Sequence, residues 1–220
     1  SLPAQHMANS AATLRFPELH RDLVRVGIAL YGLRPDPAMA LPSSMRPILT
    51  IVSRLARVFK IEAGETVSYG RTYRALRAET AAIVPIGYAD GYPRALSGRA
   101  AMAIAGRAAP ILGRVCMDQT VVRVPLGVDA MPGDSVVIVG NGELTSAGAP
   151  LLDDLAAMVG TNGYEVATGL AARLPKLYLA GGHLVAVDDL STTTTPTSGT
   201  CNDAKTPLPG LGEEWQDAPR

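Results

Sequence analysis

The chain has 220 residues, 47% of them hydrophobic, enough apolar surface for a substantial core. Twenty Lys and Arg balance 20 Asp and Glu, which excludes the net field that gathers a protein onto nucleic acid or an anionic membrane surface; a small neutral or zwitterionic partner is expected instead. The cysteines, Cys116 and Cys201, show neither disulfide nor metal-ligand spacing, and such sparse usage fits a reducing, cytoplasmic setting.

The opening residues, Ser1 to His6, carry no basic head or signal-length apolar stretch, and no apolar run is long enough to cross a bilayer. The chain starts without Met and is expected to be a cut or trimmed piece. Phe16 to Asp22 read as a helical turn or two, followed by a nearly continuous apolar strand from Val24 to Gly32 of the kind buried on both faces in parallel sheets. Pro35, Pro37, Pro42 and Pro47 then punctuate a connector, and a domain boundary is expected near residue 46.

Beyond it the texture changes to short β-branched runs ended by Gly and Pro. The expected strands are Ile48 to Ile61, Thr66 to Arg74, Ala81 to Tyr88, Ala101 to Ala105, Ile111 to Val115, Gln119 to Val124 and Ser135 to Val139. Many short strands at this spacing predict a β-sandwich or barrel. Leu151 to Val159 carries apolar residues at helical spacing with Gly160 as a stop, and a second short helix is expected from about Asn162. From about Ser191 the composition turns to Thr, Pro, Gly and charge, which cannot bury enough apolar surface to offset the entropy of ordering, so a floppy tail is expected.

Four clusters could carry chemistry. His6-Met7-Ala8-Asn9-Ser10-Ala11-Ala12 is a small polar loop. At the C-terminal end of a barrel strand, its Ser10 hydroxyl and backbone N–H groups, with those of Gly27 and Ile28, could cradle a phosphate; loop capping explains the same residues. Arg25, within the apolar strand, must be paired or face a ligand, because an unpaired buried charge is costly.

Val67-Ser68-Tyr69-Gly70-Arg71-Thr72-Tyr73 places a tyrosine before a glycine, and a tyrosine acting as a base needs help from nearby positive charge or hydrogen bonds, whereas most strand tyrosines only pack. Val84 to Arg94 runs a strand into an Asp90-Gly91 turn that turn chemistry explains. Gly113-Arg114-Val115-Cys116-Met117-Asp118-Gln119 mixes polar and sulfur-bearing residues where a strand would continue, and alone supports only a strand with a buried cysteine.

Taken in order, the His6 to Ala12 loop, Arg25 to Gly32, Val67 to Gly70, Ile86 to Arg94 and Gly113 to Gln119 resemble the alanine racemase family; the likeness runs from about residue 1 to 180 and ends with Asn162 to Val166 and Arg173-Leu174-Pro175. The resemblance implies a mainly β C-terminal domain, barrel- or sandwich-like, preceded by the last part of a TIM-type (β/α)₈ barrel. On that reading residues 1–46 are the terminal segment of the barrel that binds pyridoxal phosphate, 47–187 the β-domain and 188–220 a disordered tail.

By position, Ser10, Gly27, Ile28 and Tyr164 match the family's phosphate-binding residues. Arg25 matches the residue facing the cofactor's pyridine nitrogen, and His6 one that supports it. An arginine there keeps the nitrogen unprotonated and the ring a weaker electron sink than a carboxylate would. Tyr69 matches the base that acts on L-alanine, one of two bases working on opposite faces. Met117 matches a position contacting the substrate carboxylate through its backbone, with Asp118 shaping that loop, and Tyr88 matches a residue of the corridor by which substrate enters.

The second base would be the cofactor lysine, and Lys60, Lys176 and Lys205 do not resemble it in context. The resemblance thus implies an isomerase interconverting L- and D-alanine, supplying D-alanine for peptidoglycan. It is expected to be a cytoplasmic homodimer of which this chain is a C-terminal piece, inactive alone. Two alternatives stand beside it: a pyridoxal-phosphate amino-acid decarboxylase of the same architecture, whose Cys and Asp signature is spaced differently from Cys116-Met117-Asp118, and a non-catalytic β-domain binding module.

Overall fold

The computed structural model describes residues 3–140, 148–181 and 183–188. The chain divides into two units, Ser1–Leu170 and Ala171–Arg220. The tail expected from residue 188, and Cys201 within it, lie outside the described residues from 189 on.

The first unit opens on a βαβ crossover. Strand β1 (His6–Asn9) leads through helix α1 (Ser10–Arg15) to β2 (Leu23–Arg25), which pairs with β1 in parallel, His6 opposite Leu23 and Asn9 opposite Arg25. Parallel neighbours need such a crossover, and this is the repeating unit of an α/β barrel. The Asn9 side chain starts α1 by accepting from the Ala12 amide at 3.0 Å. The long strand read over Val24 to Gly32 is not formed: β2 stops at Arg25, Gly27 turns the chain, and Ile28–Tyr31 make a 3₁₀ turn closed by left-handed Gly32. Ile28 and Ala29 are buried while Leu30 and Tyr31 face outward, so the apolar run is a turn with one face in the core.

The strands that follow are β3 (Ile51–Arg54), β4 (Arg57–Ile61), β5 (Thr66–Val67), β6 (Tyr73–Arg74), β7 (Glu79–Val84), β8 (Ala101–Ile104), β9 (Arg107–Pro110), β10 (Thr120–Arg123) and β11 (Ser135–Val139). One antiparallel sheet runs β3-β11-β8-β9 and another β10-β7-β4. Two seams join them. At one, Ile111 bridges to Val122. At the other, Leu55 exchanges hydrogen bonds with the Gly133-Asp134 turn while Ala56 donates to Ile83 at 2.8 Å, so the chain passes from the first sheet to the second. The two antiparallel sheets are thus joined along both edges into one barrel-like domain, within the barrel- or sandwich-like class expected. This joining also explains why the expected strand Ile48 to Ile61 is two strands.

The expected strand Thr66 to Arg74 is a short β5-β6 ladder broken by a turn at Tyr69–Arg71. The strand expected from Ile111 lies earlier, at β9, and Ile111 keeps only its bridge.

Helices α2 (Leu152–Val159) and α3 (Gly163–Thr168) close the first unit. Gly160 ends α2 in the left-handed conformation, and the Asn162 side chain caps α3 by accepting from the Glu165 amide at 3.1 Å. The larger of two cores runs through the unit: Leu55, Val84, Met102, Ile104, Val136 and Ile138 fill the β-domain, and Ile28, Leu33, Leu152, Leu155 and Val166 continue it to the α/β segment and the two helices, while Ile61, Ala75, Ala81 and Leu112 form a smaller second cluster. Each such side chain contributes about 1.5–3 kcal/mol relative to exposure.

In the second unit β12 (Lys176–Ala180) and β13 (His183–Asp188) form an antiparallel hairpin, with Lys176 paired to Asp188 at 3.1 Å. Among the described residues no helix is long and apolar enough to cross a membrane.

Candidate functional site

The expected site residues fall in two groups. The first centres on Ser10 and Gly27, which follow the C-terminal ends of β1 and β2. Ser10, the first residue of α1, is 3% exposed, and its hydroxyl oxygen accepts from the Gly27 amide at 2.9 Å. Accepting that bond leaves the hydroxyl proton as a donor. A side chain at Gly27 would meet nothing within 4 Å, so the backbone there borders open space. Ser10, Gly27 and the start of the turn at Ile28 thus make a polar cup at the end of a parallel strand pair, where α/β barrels bind ligands. Its donors suit a phosphate.

Arg25, opposite Asn9, ends β2 next to the cup, whereas His6, opposite Leu23, begins β1 at the other end of the strand pair; both are exposed. Arg25 was expected inside an apolar strand. It is instead on the last residue of a three-residue strand, its guanidinium donating to the Met7 carbonyl at 3.4 Å, so no burial penalty forces a partner on it.

Tyr164 stands on the first turn of α3, 40% exposed, and partial burial raises its hydroxyl pKa. That helix is tied to the Ile28–Arg34 segment. Asp153 on α2 accepts from the Arg34 amide at 3.0 Å and its Nε at 3.2 Å, and Gly163 is packed against Asp153 and Leu33, with no room for a side chain before the Asp153 carboxylate.

The second group is built from loops at the barrel. Tyr69 is 75% exposed, Met117 58% and Tyr88 43%. Tyr69 sits in a strained turn: Ser68 has φ 68° and ψ 169°, a region almost reserved for glycine that costs about 1–3 kcal/mol. Gly70 and Arg71 also have positive φ, 74° and 50°. The Ser68 hydroxyl donates to the Arg114 carbonyl at 2.8 Å and accepts from the Arg114 amide at 2.9 Å. The Arg114 guanidinium lies against Gly70.

Two residues further on, the Cys116 carbonyl accepts from the Tyr88 amide at 3.0 Å and the Met117 carbonyl from the Ala89 amide at 2.8 Å. A Cβ at Gly87 would overlap both carbonyls, and buried Asp90 closes that turn by accepting from the Gly87 amide at 2.9 Å. The three exposed side chains therefore project from loops bonded to one another.

The sequence alone assigned no role to Ser68, Arg114 or Gly87, and read Asp90 as a turn residue only. The Gly87-x-x-Asp90 spacing is a legible cap signal, whereas nothing in the sequence marks a serine at positive φ.

A parallel βαβ segment with a polar cup, leading into two joined antiparallel sheets, is the end of an α/β-barrel domain followed by a mainly β domain. Residues 48–178 match the alanine racemase C-terminal domain, and residues 1–35 the alanine racemase N-terminal domain. The chain belongs to the alanine racemase family.

Among curated relatives, the alanine racemase of Symbiobacterium thermophilum is 45% identical over 176 residues, covering 79% of this chain and 45% of the relative. That of Desulfovibrio desulfuricans is 42% identical over 178 residues, covering 81% and 46%. The solved alanine racemase of Bacillus anthracis with bound L-Ala-P superposes with a TM-score of 0.77 at 35% identity, over 84% of this chain and 47% of that one. The enzyme of the D-cycloserine producer Streptomyces lavendulae gives 0.76 at 41%, over 82% and 47%. The chain spans less than half the length of these relatives.

Proposed function

We propose that this chain is the C-terminal portion of a cytoplasmic, homodimeric, pyridoxal-phosphate-dependent alanine racemase, supplying D-alanine for peptidoglycan. Residues 1–46 end the cofactor barrel, and 47–187 form the β-domain. The observation that carries the reading is Tyr69, three-quarters exposed on a turn held by hydrogen bonds to the loop of Met117. A tyrosine with a packing role would be buried.

The polar cup fits the cofactor's phosphate: the Ser10 hydroxyl and the backbone at Gly27 and Ile28 would hold it, with Tyr164 adding a hydroxyl and Arg25, supported by His6, facing the pyridine nitrogen. Pyridoxal phosphate, when bound, withdraws electrons from the substrate α-carbon and so acidifies its C–H bond. The lysine that would anchor it comes from outside this chain: Lys60 lies on β4 and Lys176 on β12, both exposed, and Lys205 lies outside the described residues.

Tyr69 takes the α-proton of L-alanine at its phenolic oxygen, and a base outside this chain returns a proton to the opposite face. The Met117 backbone orients the substrate carboxylate, and Tyr88 lines the approach. Because Tyr69, Tyr88 and Met117 project outward together, they serve the cup of a second copy rather than their own.

The test is Tyr69→Phe in the intact enzyme. Removing a proton-transfer group lowers kcat/KM roughly 10²–10⁴-fold, equally in both directions because the enantiomers are equal in energy, with cofactor binding retained. Unchanged turnover would remove the base assignment.

A further inference from the structure

Resting on the reading of Tyr69 as a base, we infer that Ser68 is the positioning residue that fixes it, and that it does so by coupling the Tyr69 turn to the Met117 loop. Ser68 is unusual in two independent respects. Its backbone, at φ 68° and ψ 169°, occupies a conformation that side-chain-bearing residues rarely hold. Its hydroxyl also bonds to both backbone polar groups of one residue, Arg114, donating to the carbonyl at 2.8 Å and accepting from the amide at 2.9 Å.

That pair of bonds stands in for a backbone ladder where the strand is interrupted. Such a conformation persists only where its surroundings over-determine it, and here they do. Gly113, itself at φ 73°, leaves no room for a Cβ before the Ser68 side chain. The Cys116 thiol lies 3.9 Å from the Ser68 hydroxyl.

The consequence reaches both ends of the substrate. Tyr69 follows Ser68 directly, so the Ser68 backbone angles set the direction in which the phenol leaves the chain. Arg114 leads through Cys116 to Met117, whose carbonyls are in turn bonded to the amides of Tyr88 and Ala89. One hydroxyl thus fixes the spacing between the group that handles the α-proton and the loop that meets the carboxylate. Proton transfer is sensitive to such spacing, since a displacement of about 1 Å can cost two orders of magnitude in rate.

The variants that separate this role from folding are Ser68→Gly and Ser68→Ala in the intact enzyme. Glycine adopts the same backbone angles freely and removes only the anchor; alanine removes the anchor and keeps the unfavourable conformation. Ser68→Gly is expected to lower kcat roughly tenfold with KM within about twofold, and Ser68→Ala to lower it further.

The direction-specific readout is the deuterium isotope effect on kcat/KM. With the Tyr69 transfer slowed, the effect from α-deuterated L-alanine rises toward its intrinsic value, while that from α-deuterated D-alanine, whose deuterium leaves to the opposite base, falls. Independently of turnover, amide exchange at Arg114 in the cofactor-free enzyme should accelerate in both variants. A Ser68→Gly enzyme with wild-type kcat and isotope effects, alongside an impaired Tyr69→Phe, overturns the positioning role alone; wild-type turnover in Tyr69→Phe overturns the base assignment and this role with it.

Discussion

The amide of Gly27 donates to the hydroxyl oxygen of Ser10 at 2.9 Å, joining residues 17 apart in sequence across the α1 crossover. This contact turns two separate loop residues into one cup. In Ser10→Ala the Gly27 amide is left facing solvent rather than buried, so the thermal stability of the chain should change by about 1 kcal/mol or less. If the hydroxyl also donates to the cofactor phosphate, the intact enzyme should lose roughly ten- to a hundredfold in cofactor affinity, since a bond to a charged group is worth about 1.5–3 kcal/mol. Equilibrium dialysis against pyridoxal phosphate measures it, and unchanged affinity would remove Ser10 from the phosphate site.

Gly87→Ala tests the junction of the Tyr88 and Met117 loops. Gly87 has φ −152°, open to any residue, so its role is steric: the Cys116 and Met117 carbonyls leave no space for a Cβ. The loops must move apart, breaking the bonds from Tyr88 and Ala89. Overpacking of this kind costs about 1–3 kcal/mol, measurable by urea unfolding. A stability equal to the parent would show that the junction yields without strain.

Much of this arrangement was legible in the sequence, and the failures share a cause. Helix α2 with its Gly160 stop, the start of α3 at Asn162 and strand β11 follow from local periodicity and caps, which act within one element. The run Val24 to Gly32 misled because an unbroken apolar stretch fits a buried strand and a half-buried turn equally; only packing of Ile28 and Leu33 against α2 and α3 decides it. Thr66 to Arg74 misled because its break lies at Ser68 and Arg71, side-chain-bearing residues at positive φ, Ser68 being held there by Arg114, 46 positions away. Tyr69 could be named by family likeness, but its exposure follows from that long-range anchor.

Asp153→Ala should loosen the α2-α3 pair from the barrel-end segment. The carboxylate accepts both the Arg34 amide and its guanidinium, and its side chain is only 11% exposed. Losing it strands a partly buried amide, for an expected loss of about 1–3 kcal/mol. Asp153→Asn, which keeps an acceptor oxygen, should recover part of it. Equal unfolding midpoints for the two variants would show that only charge matters there.

Alkaline pH should weaken the fold through Tyr73. Its hydroxyl donates to Glu79, and Arg123 pairs with Glu79 at 2.5 Å. Desolvation and then the bond to Glu79 raise the Tyr73 pKa against the opposing pull of Arg123. A raised value means that the protonated form is favoured in the fold, so this stability is fully present below the ordinary tyrosine pKa of about 10 and is lost as pH rises through the elevated folded value. Urea unfolding at pH 8 and at successive steps above pH 10 should show the decline, and Tyr73→Phe should make it shallower. A pH profile identical in the variant would assign the decline elsewhere.

Tyr92 offers the opposite case, a hydroxyl whose removal should help. The ring is 2% exposed and packs in the core shared by the barrel and the helices, yet its hydroxyl finds no hydrogen-bond partner among the described residues. Burial pushes its pKa upward, with no neighbouring group sharing in the shift. An unsatisfied buried hydroxyl carries a desolvation cost of about 1–3 kcal/mol that a phenylalanine of the same shape avoids. Tyr92→Phe should therefore raise the unfolding midpoint at neutral pH by the equivalent of about 1 kcal/mol. It should widen that advantage above pH 10, where the parent must keep a buried tyrosine protonated against its tendency to ionise in the unfolded chain. A lower midpoint in the variant would mean that the hydroxyl is satisfied after all.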